Sequence, residues 1–158
     1  MKAVMVDGEG LSLEAVEQVA LAGAPAALSP DARPRILASR EVVEQALARK
    51  QKVYGVTTGL GHRSEITLDA AQSAQLQDNR VRSHSAGVGE EYSAEVCRAM
   101  MLLRANTLAK GCSGVRIQVI ESLLALLEAG IIPVVPQQGS VGASGDLVPL
   151  AHVALLLT

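Results

Sequence analysis

Two neighbouring stretches of sequence decide the fold class: residues 93–111 read SAEVCRAMMLLRANTLAKG and residues 114–130 read GVRIQVIESLLALLEAG. In the first, apolar side chains occupy most sides of a helix that begins at Ser93 and ends at Gly111, so we expect this helix to be buried. In the second, the apolar side chains that share one helix face are Ile117, Ile120, Leu123, Leu124 and Leu127. The glycine that follows, Gly130, is a typical helix C-cap. The sequence therefore predicts a mainly α-helical fold.

Four further helices are predicted from apolar residues that recur at helical spacing. Their expected bounds are residues 12–22, 39–50, 67–81 and 147–158. The segments between them have no helical period: a break with prolines at 24–34, glycine loops at 54–61 and 85–91, and an extended stretch at 131–136. Because Phe and Trp are absent, we expect a core of Ala, Leu, Val and Ile, whose small side chains favour close helix packing in a bundle.

The balance of charged and apolar residues limits the classes of protein that fit. The 158 residues include 14 basic and 16 acidic ones, for a net charge of −2, and no basic block that would bind nucleic acid. Hydrophobic residues make up 49% of the chain, an apolar excess that favours a piece of a larger protein or assembly over a free monomer. No run is long and apolar enough for a transmembrane helix, and the N-terminus lacks a signal-peptide pattern, so we expect no membrane partner and a cytoplasmic location.

The last residues, 147–158, read LVPLAHVALLLT. They form an apolar helical pattern without a glycine cap, a basic last turn or a polar tail. We therefore expect residues 1–158 to be a single segment of a larger protein, truncated within this helix.

A metal site is not expected. The histidines His62, His84 and His152 lack the spacing that would place two of them on one helix face, and no Cys-x-x-Cys motif exists. Without a secretion signal, Cys97 and Cys112 are expected to be reduced thiols.

Two glycine loops resemble known catalytic motifs only weakly. Residues 54–61, YGVTTGLG, match neither the dinucleotide-binding nor the phosphate-binding glycine pattern. Residues 142–146, GASGD, depart from the serine-hydrolase elbow GxSxG because Asp146 stands at its last position. A simple interpretation of the second loop is a flexible turn with Asp146 as the N-cap of the next helix.

A more specific interpretation rests on Ala143, Ser144 and Gly145, which can form a ring from the backbone. The amide nitrogen of Gly145 attacks the carbonyl carbon of Ala143 and water is lost. Glycine leaves the nitrogen unhindered and tolerates unusual backbone angles, and alanine crowds the carbonyl least. Loss of the Ser144 hydroxyl then leaves an exocyclic methylidene, so the product is an electrophile that requires no added cofactor.

Four segments together resemble the aromatic amino acid ammonia-lyases, and most closely their histidine-specific members. In chain order they are YGVTTGLG from Tyr54, LQDNRVRSHSAGVG from Leu76, LAKGCSGVR from Leu108 and GSVGASGDLVPLAH from Gly139. The resemblance implies a mainly helical homotetramer, a 4-methylideneimidazol-5-one group formed autocatalytically from Ala143-Ser144-Gly145, and release of ammonia from an amino acid. Members of this family are several times longer, so the resemblance implies that residues 1–158 alone are inactive.

The resemblance also assigns roles to individual residues. Tyr54 matches a catalytic base or acid, Ser83 and His84 match a pair that faces the substrate side chain, and Asp146 matches a residue that assists ring formation. We further expect the loop of Tyr54 to act as part of a lid, with Gly55, Gly59 and Gly61 as hinges. The chain departs from the usual family pattern at Thr57, Leu60 and Gln137-Gln138.

The expected substrate is L-histidine, which would give trans-urocanate and ammonia, because His84 can exchange a hydrogen bond with an imidazole or a phenol but not with a phenyl ring. Two alternatives remain within the family, a tyrosine 2,3-aminomutase and a tyrosine ammonia-lyase. A helical scaffold without catalytic activity is the alternative from another class.

Overall fold

The computed structural model describes residues 2–143 and 145–158, and it confirms the mainly α-helical class. The α-helices of these residues are α1 (Leu13–Ala20), α2 (Arg33–Ala48), α3 (Ala70–His84), α4 (Ala94–Ala109), α5 (Ile117–Glu128) and α6 (Leu147–Ala154). Short 3₁₀ turns lie at Pro30–Ala32, Gly61–Arg63 and Leu155–Leu157. The strands are β1 (Val4–Val6), β2 (Ala26–Leu28), β3 (Val88–Glu91) and β4 (Pro136–Gln138).

Helix α4 is the centre of the hydrophobic core, as its sequence predicts. It packs against α1 on one side and α5 on the other. Met101, Leu102 and Ala105 of α4 and Ile120 of α5 are fully buried, and Leu123 of α5 is nearly so. The aliphatic side chains of these helices pack into one cluster with neighbouring elements, so the core is continuous without Phe or Trp.

Two small sheets were not predicted from the sequence. Strands β1 and β2 pair in parallel, with Val4 opposite Ala26, and β3 and β4 pair in antiparallel fashion, with Val88 opposite Gln138. Each strand is only three or four residues long, too short to show an alternating pattern of apolar residues. Strands β2 and β3 lie in segments that were expected to be a break and a loop, β4 begins at the end of the expected extended stretch, and β1 precedes the first predicted helix.

Several predicted helix bounds were wrong. Helix α2 begins at Arg33 and not at residue 39, because Pro34 is tolerated in a first helical turn and does not extend the break. Helix α3 begins and ends about three residues later than predicted, since Asp69 and Gln72 form a reciprocal capping box that fixes its start. Helix α6 ends at Ala154 and a 3₁₀ turn follows it, so residues 147–158 are not one α-helix.

No helix in the part of the chain that the structure describes is long and apolar enough to cross a membrane.

Candidate active site

Tyr54 lies in a loop whose backbone is ordered by two buried threonines. Thr57 Oγ1 donates to the Gln51 carbonyl at 2.6 Å and accepts the Val53 N–H at 2.8 Å. Thr58 pairs with Thr67 in an isolated antiparallel bridge. Thr57, one of the departures from the family pattern, therefore closes this loop through its hydroxyl group. Tyr54 itself is 63% exposed, and its hydroxyl oxygen accepts the Gly61 N–H at 3.2 Å.

The three glycines of this loop differ in their surroundings. Gly55 and Gly61 adopt φ angles of +72° and +55°, in the left-handed region that favours glycine. Gly59 has no such angle, but a Cβ atom at that position would lie 2.6 Å from the Arg63 carbonyl oxygen. Gly55 and Gly61 therefore have the conformational freedom that a hinge requires, whereas Gly59 allows a close approach of two backbone segments.

His84 is the last residue of α3, and its ring is held by the preceding turn. Its Nδ1 atom lies 2.8 Å from the Arg80 carbonyl oxygen and 3.2 Å from Ser83 Oγ. A carbonyl oxygen can only accept a hydrogen bond, so Nδ1 carries the hydrogen and Nε2 of the neutral ring is an acceptor. Ser83 Oγ also donates to the Arg80 carbonyl at 3.1 Å, which makes Ser83 a neighbour that orients the imidazole.

The loop that contains Ala143 and Gly145 folds back on itself. An isolated bridge pairs these two residues, and the Gly145 N–H points to the Gly142 carbonyl at 3.4 Å. Gly142 and Gly145 have φ angles of +70° and +92°, and a Cβ atom on either would have no neighbour within 4 Å. Ser144 lies outside the described residues. The flanking glycines thus have the open space and the backbone angles that a ring formed from these residues requires.

Asp146 does not cap α6 through its side chain, contrary to the simple interpretation of the sequence. Instead, its Oδ1 atom accepts a hydrogen bond of 2.7 Å from Ser140 Oγ. The carboxylate is therefore tied to the segment that precedes the Ala143–Gly145 loop, and it stays beside the residues that would form the ring.

Two contacts bring this loop next to the helix that carries His84. Strand β4, which precedes the loop, pairs with β3, which follows α3. Helix α6, which follows the loop, packs against α3, and His152 Nε2 of α6 accepts the Gly87 N–H at 3.2 Å. Both ends of the Ala143–Gly145 loop are therefore anchored to the segment around His84.

Two cavities border these elements. The first, of about 350 Å³, has mainly apolar walls between the Tyr54 loop and α3, and Gly59, Leu60, Ser83 and His84 are among the residues that line it. The second, of about 490 Å³, lies beside α4, and Ser140 and Asp146 are on its wall. Among the described residues, Tyr54, Ala143 and Gly145 line neither cavity. The structure thus joins the Tyr54 loop to Ser83 and His84, and it places Asp146 at a separate opening.

Sequence reasoning missed the residues that fasten these parts to one another. Ser140 holds Asp146 and His152 holds Gly87, as described above. Ser73 and Gln77 of α3 bond carbonyl groups of the Tyr54 loop, Val56 at 2.7 Å and Gly55 at 3.2 Å. Their partners are distant in the sequence, so periodicity carries no signal for them. No group of three His, Cys, Asp or Glu side chains able to hold a metal ion occurs within residues 2–143 and 145–158.

Known proteins provide an independent comparison. A family model described as aromatic amino acid lyase matches residues 11–158. Histidine ammonia-lyase from Anaeromyxobacter dehalogenans is 51% identical over 157 residues, which are 99% of this chain and 31% of that protein. The enzyme of the same name from Caldanaerobacter subterraneus subsp. tengcongensis is 45% identical over the same shares of the two chains. The chain therefore spans about a third of the length of these curated relatives.

Solved structures agree with the sequence comparisons. Histidine ammonia-lyase from Trypanosoma cruzi superposes with a TM-score of 0.90 at 39% identity, over 98% of this chain and 30% of that one. A tyrosine aminomutase from Streptomyces globisporus superposes with a TM-score of 0.90 at 42% identity, over 97% of this chain and 28% of that one. The family model, the sequence relatives and the superposed folds all lead to one conclusion: the chain belongs to the aromatic amino acid lyase family.

Proposed function

We propose that the natural-length protein removes ammonia from an aromatic amino acid without oxidation, with L-histidine as substrate and trans-urocanate as the second product. The observation that carries this proposal is the anchoring of both ends of the Ala143–Gly145 loop to the segment around His84. A group formed in that loop would be anchored on both sides to the segment that follows His84, whose Nε2 atom is an acceptor. Identity of 45–51% to histidine ammonia-lyases supports the same reaction.

The electrophile of this proposal is a 4-methylideneimidazol-5-one formed from Ala143, Ser144 and Gly145. The flanking backbone fits it, because Gly145 has the positive φ that glycine tolerates and a Cβ atom there would meet nothing within 4 Å. When present, this group supplies an electron-poor centre that makes the amine a better leaving group. In this proposal Asp146, whose carboxylate accepts a hydrogen bond from Ser140, assists its formation.

We assign roles to the chain's own residues in agreement with the family resemblance. In the elimination, a Cβ–H bond and the Cα–N bond of the amino acid break, and a Cα=Cβ bond forms. Tyr54, exposed on a loop with flexible glycines, takes the proton from Cβ. His84 Nε2 accepts a hydrogen bond from the N–H of the substrate's imidazole, and the apolar wall of the neighbouring cavity excludes water. Ser83, which contacts His84 Nδ1, helps to fix the orientation of the imidazole ring.

We extend the proposal to a cytoplasmic homotetramer. Large apolar side chains are exposed on the described surface, including Leu13, Val42 and Val141. Solvent-facing apolar groups of this size favour burial against further protein surface. The chain belongs to a family whose members act on aromatic amino acids. Its sequence indicates neither a membrane nor a nucleic acid partner, which agrees with this assembly.

Ser144→Ala in the natural-length protein tests the proposal. The variant lacks the hydroxyl group that leaves during ring formation, so we expect it to fold, to retain the mass of the uncyclised chain, and to produce neither urocanate nor ammonia. Ultraviolet absorbance of the conjugated acid measures turnover, and intact-mass spectrometry measures the loss of water. A variant with near-normal turnover would show that the reaction does not depend on this group.

A second candidate, a tyrosine 2,3-aminomutase, is favoured by the superposition on the Streptomyces globisporus enzyme. An aminomutase returns the amine to Cβ, so its product from tyrosine is a β-amino acid without net release of ammonia. Chromatography of the products from histidine and tyrosine distinguishes the two reactions.

A further inference from the structure

Gln77, in the middle of α3, makes hydrogen bonds in two directions. Its side-chain Nε2 donates to the Gly55 carbonyl at 3.2 Å, across 22 residues of sequence. Its Oε1 accepts from Arg80 Nη1 at 3.1 Å, one turn further along the helix. A single amide group therefore joins the residue next to Tyr54 to the helix surface that leads to His84.

The contact with Arg80 continues to the imidazole. The Arg80 carbonyl oxygen is the group that accepts the Nδ1–H of His84 at 2.8 Å. Gly55 is thus bonded to Gln77, and Gln77 is bonded to the side chain of Arg80. The backbone carbonyl of the same arginine is bonded to His84. Ser73, one turn before Gln77, adds a second attachment, since its hydroxyl donates to the Val56 carbonyl at 2.7 Å.

Another pair of surface side chains on the same helix makes no contact with the loop. Gln75 donates to Asn79 Oδ1 at 3.0 Å, a contact between side chains one turn apart that involves no loop. Gln77 also contacts a side chain on its own helix, but its donor group is used for the backbone of the Tyr54 loop. Only a side chain with both a donor and an acceptor can make both of these contacts at once.

We propose that Gln77 is a positioning residue that sets the Tyr54 loop against the helix of His84, an inference that rests on the proposed function for its catalytic meaning. Tyr54 is otherwise an exposed side chain on a loop whose flanking glycines adopt left-handed angles. Gly55 directly follows Tyr54 in the chain, so fixing its carbonyl group restricts where the phenol can move. Because Gly55 is also an expected hinge, Gln77 acts on the point about which the loop would turn.

Gln77→Glu is the informative variant because it keeps the length and the acceptor and removes the donor. Its carboxylate retains the contact with Arg80 and faces the Gly55 carbonyl with like partial charge. Gln75→Glu is the matched control: it introduces the same charge two residues away, on a side chain that does not touch the loop. Gln77→Ala, which removes both contacts, separates the loss of the donor from the effect of the new charge.

Hydrogen exchange and kinetics on the natural-length protein provide the test. We expect amides of residues 54–59 to exchange faster in both Gln77 variants than in Gln75→Glu. We expect kcat to fall on the order of tenfold to a hundredfold, as for other small displacements of catalytic groups, with a smaller change in KM. The intact mass should still show the water loss of ring formation, since the side-chain hydrogen bonds of Gln77 within the described residues go to Gly55 and Arg80.

The readouts separate this inference from the proposed function. If Ser144→Ala showed that the lyase reaction is wrong, the exchange rates would still report whether Gln77 holds the loop. Exchange rates and kcat in Gln77→Glu equal to those of Gln75→Glu would overturn the positioning role while leaving the reaction in place. A large rise in KM with unchanged kcat would also contradict it, because that result indicates substrate binding and not alignment of Tyr54.

Discussion

Ser140 donates a hydrogen bond of 2.7 Å to the carboxylate of Asp146, although Asp146 stands at the N-cap position of α6. An aspartate at that position ordinarily accepts backbone N–H groups of the first helical turn. Here the carboxylate is turned back towards the segment that precedes Ala143. Its position beside Gly145 is therefore determined by a serine hydroxyl and not by the helix.

We predict that Ser140→Ala slows or reduces ring formation. Without the hydroxyl, the Asp146 side chain is free to rotate to the helix N-terminus, where N–H groups attract it. Intact-mass spectrometry of the freshly purified natural-length protein should then show a larger fraction of chains that have not lost water.

The control for this prediction is Ser140→Thr, which preserves the hydroxyl group and should preserve complete cyclisation. Helix α6 should remain folded in both variants, because Asp146 does not cap it through its side chain in the unmodified protein. Complete water loss in Ser140→Ala would show that the Ser140–Asp146 contact has no part in ring formation.

The main helices could be predicted because their apolar residues recur with the helical period. The pattern around Met101 and Ile120 identified α4 and α5 as core helices, and Ser12 and Ser93 were correctly placed at helix starts. These signals are local, since a helix face and a cap depend on residues within a few positions of one another.

The contacts that assemble the candidate site could not be predicted in the same way. Gln77 and Gly55, or His152 and Gly87, meet only after the helices have packed. Strands β3 and β4 are likewise distant in the sequence, so no local pattern indicates their pairing. The assignment of Tyr54, His84 and Asp146 to a common function came from resemblance to a family, and their roles remain predictions.

Two glycines with similar backbone angles but different surroundings allow the cost of a left-handed φ angle to be separated from the cost of a steric clash. Gly111 and Gly130 have φ angles of +73° and +70°. A Cβ atom at Gly111 would lie 2.8 Å from backbone atoms of Arg35, whereas one at Gly130 would meet nothing within 4 Å. We expect Gly130→Ala to cost about 1–2 kcal/mol from the left-handed angle alone.

Gly111→Ala should cost more, because overpacking adds about 1–3 kcal/mol to the same conformational term. Thermal or denaturant unfolding of both variants measures the difference. Equal destabilisation would show that the contact between the Gly111 turn and α2 relaxes without cost.

The two cysteines should differ in reactivity. Burial raises the pKa of the Cys97 thiol, and the nearby Glu91 carboxylate acts in the same direction. Cys112 is exposed. A thiol reagent at pH 8 should therefore modify Cys112 in the folded protein and Cys97 only after unfolding. Rapid labelling of both, measured by peptide mass, would show that the core around Cys97 opens readily.

The same shift predicts how stability depends on pH. The folded state disfavours the Cys97 thiolate. The contribution of the protonated thiol to the free energy of unfolding is therefore complete below the ordinary thiol pKa of 9.0 and is lost as the pH rises towards the raised pKa. Unfolding curves between pH 7 and pH 10 should show a smaller alkaline decrease for Cys97→Ala than for the unmodified protein. Parallel curves for the two proteins would contradict this prediction.

Substrate preference should depend on His84. Its Nδ1 hydrogen is held by the Arg80 carbonyl, so Nε2 offers an acceptor to the substrate. The N–H of an imidazole or the O–H of a phenol can donate to this atom, but a phenyl ring leaves it without a partner. We expect histidine to be preferred, tyrosine to be second and phenylalanine to be poor, as measured by kcat/KM for each amino acid.

His84→Leu removes the acceptor and adds apolar surface to the cavity wall that Leu60 and Leu76 already line. We expect kcat/KM for histidine to fall on the order of tenfold to a hundredfold, consistent with loss of a hydrogen bond worth about 1–3 kcal/mol. The value of kcat/KM for phenylalanine should stay the same or rise, so the preference for histidine over phenylalanine narrows or inverts.

His62→Leu is the control, because His62 is exposed and its side chain makes no hydrogen bond within residues 2–143 and 145–158. An unchanged ratio of kcat/KM for histidine to kcat/KM for phenylalanine in His84→Leu would show that His84 does not contact the substrate. Replacing an imidazole that touches the substrate ring by a leucine side chain must alter that ratio.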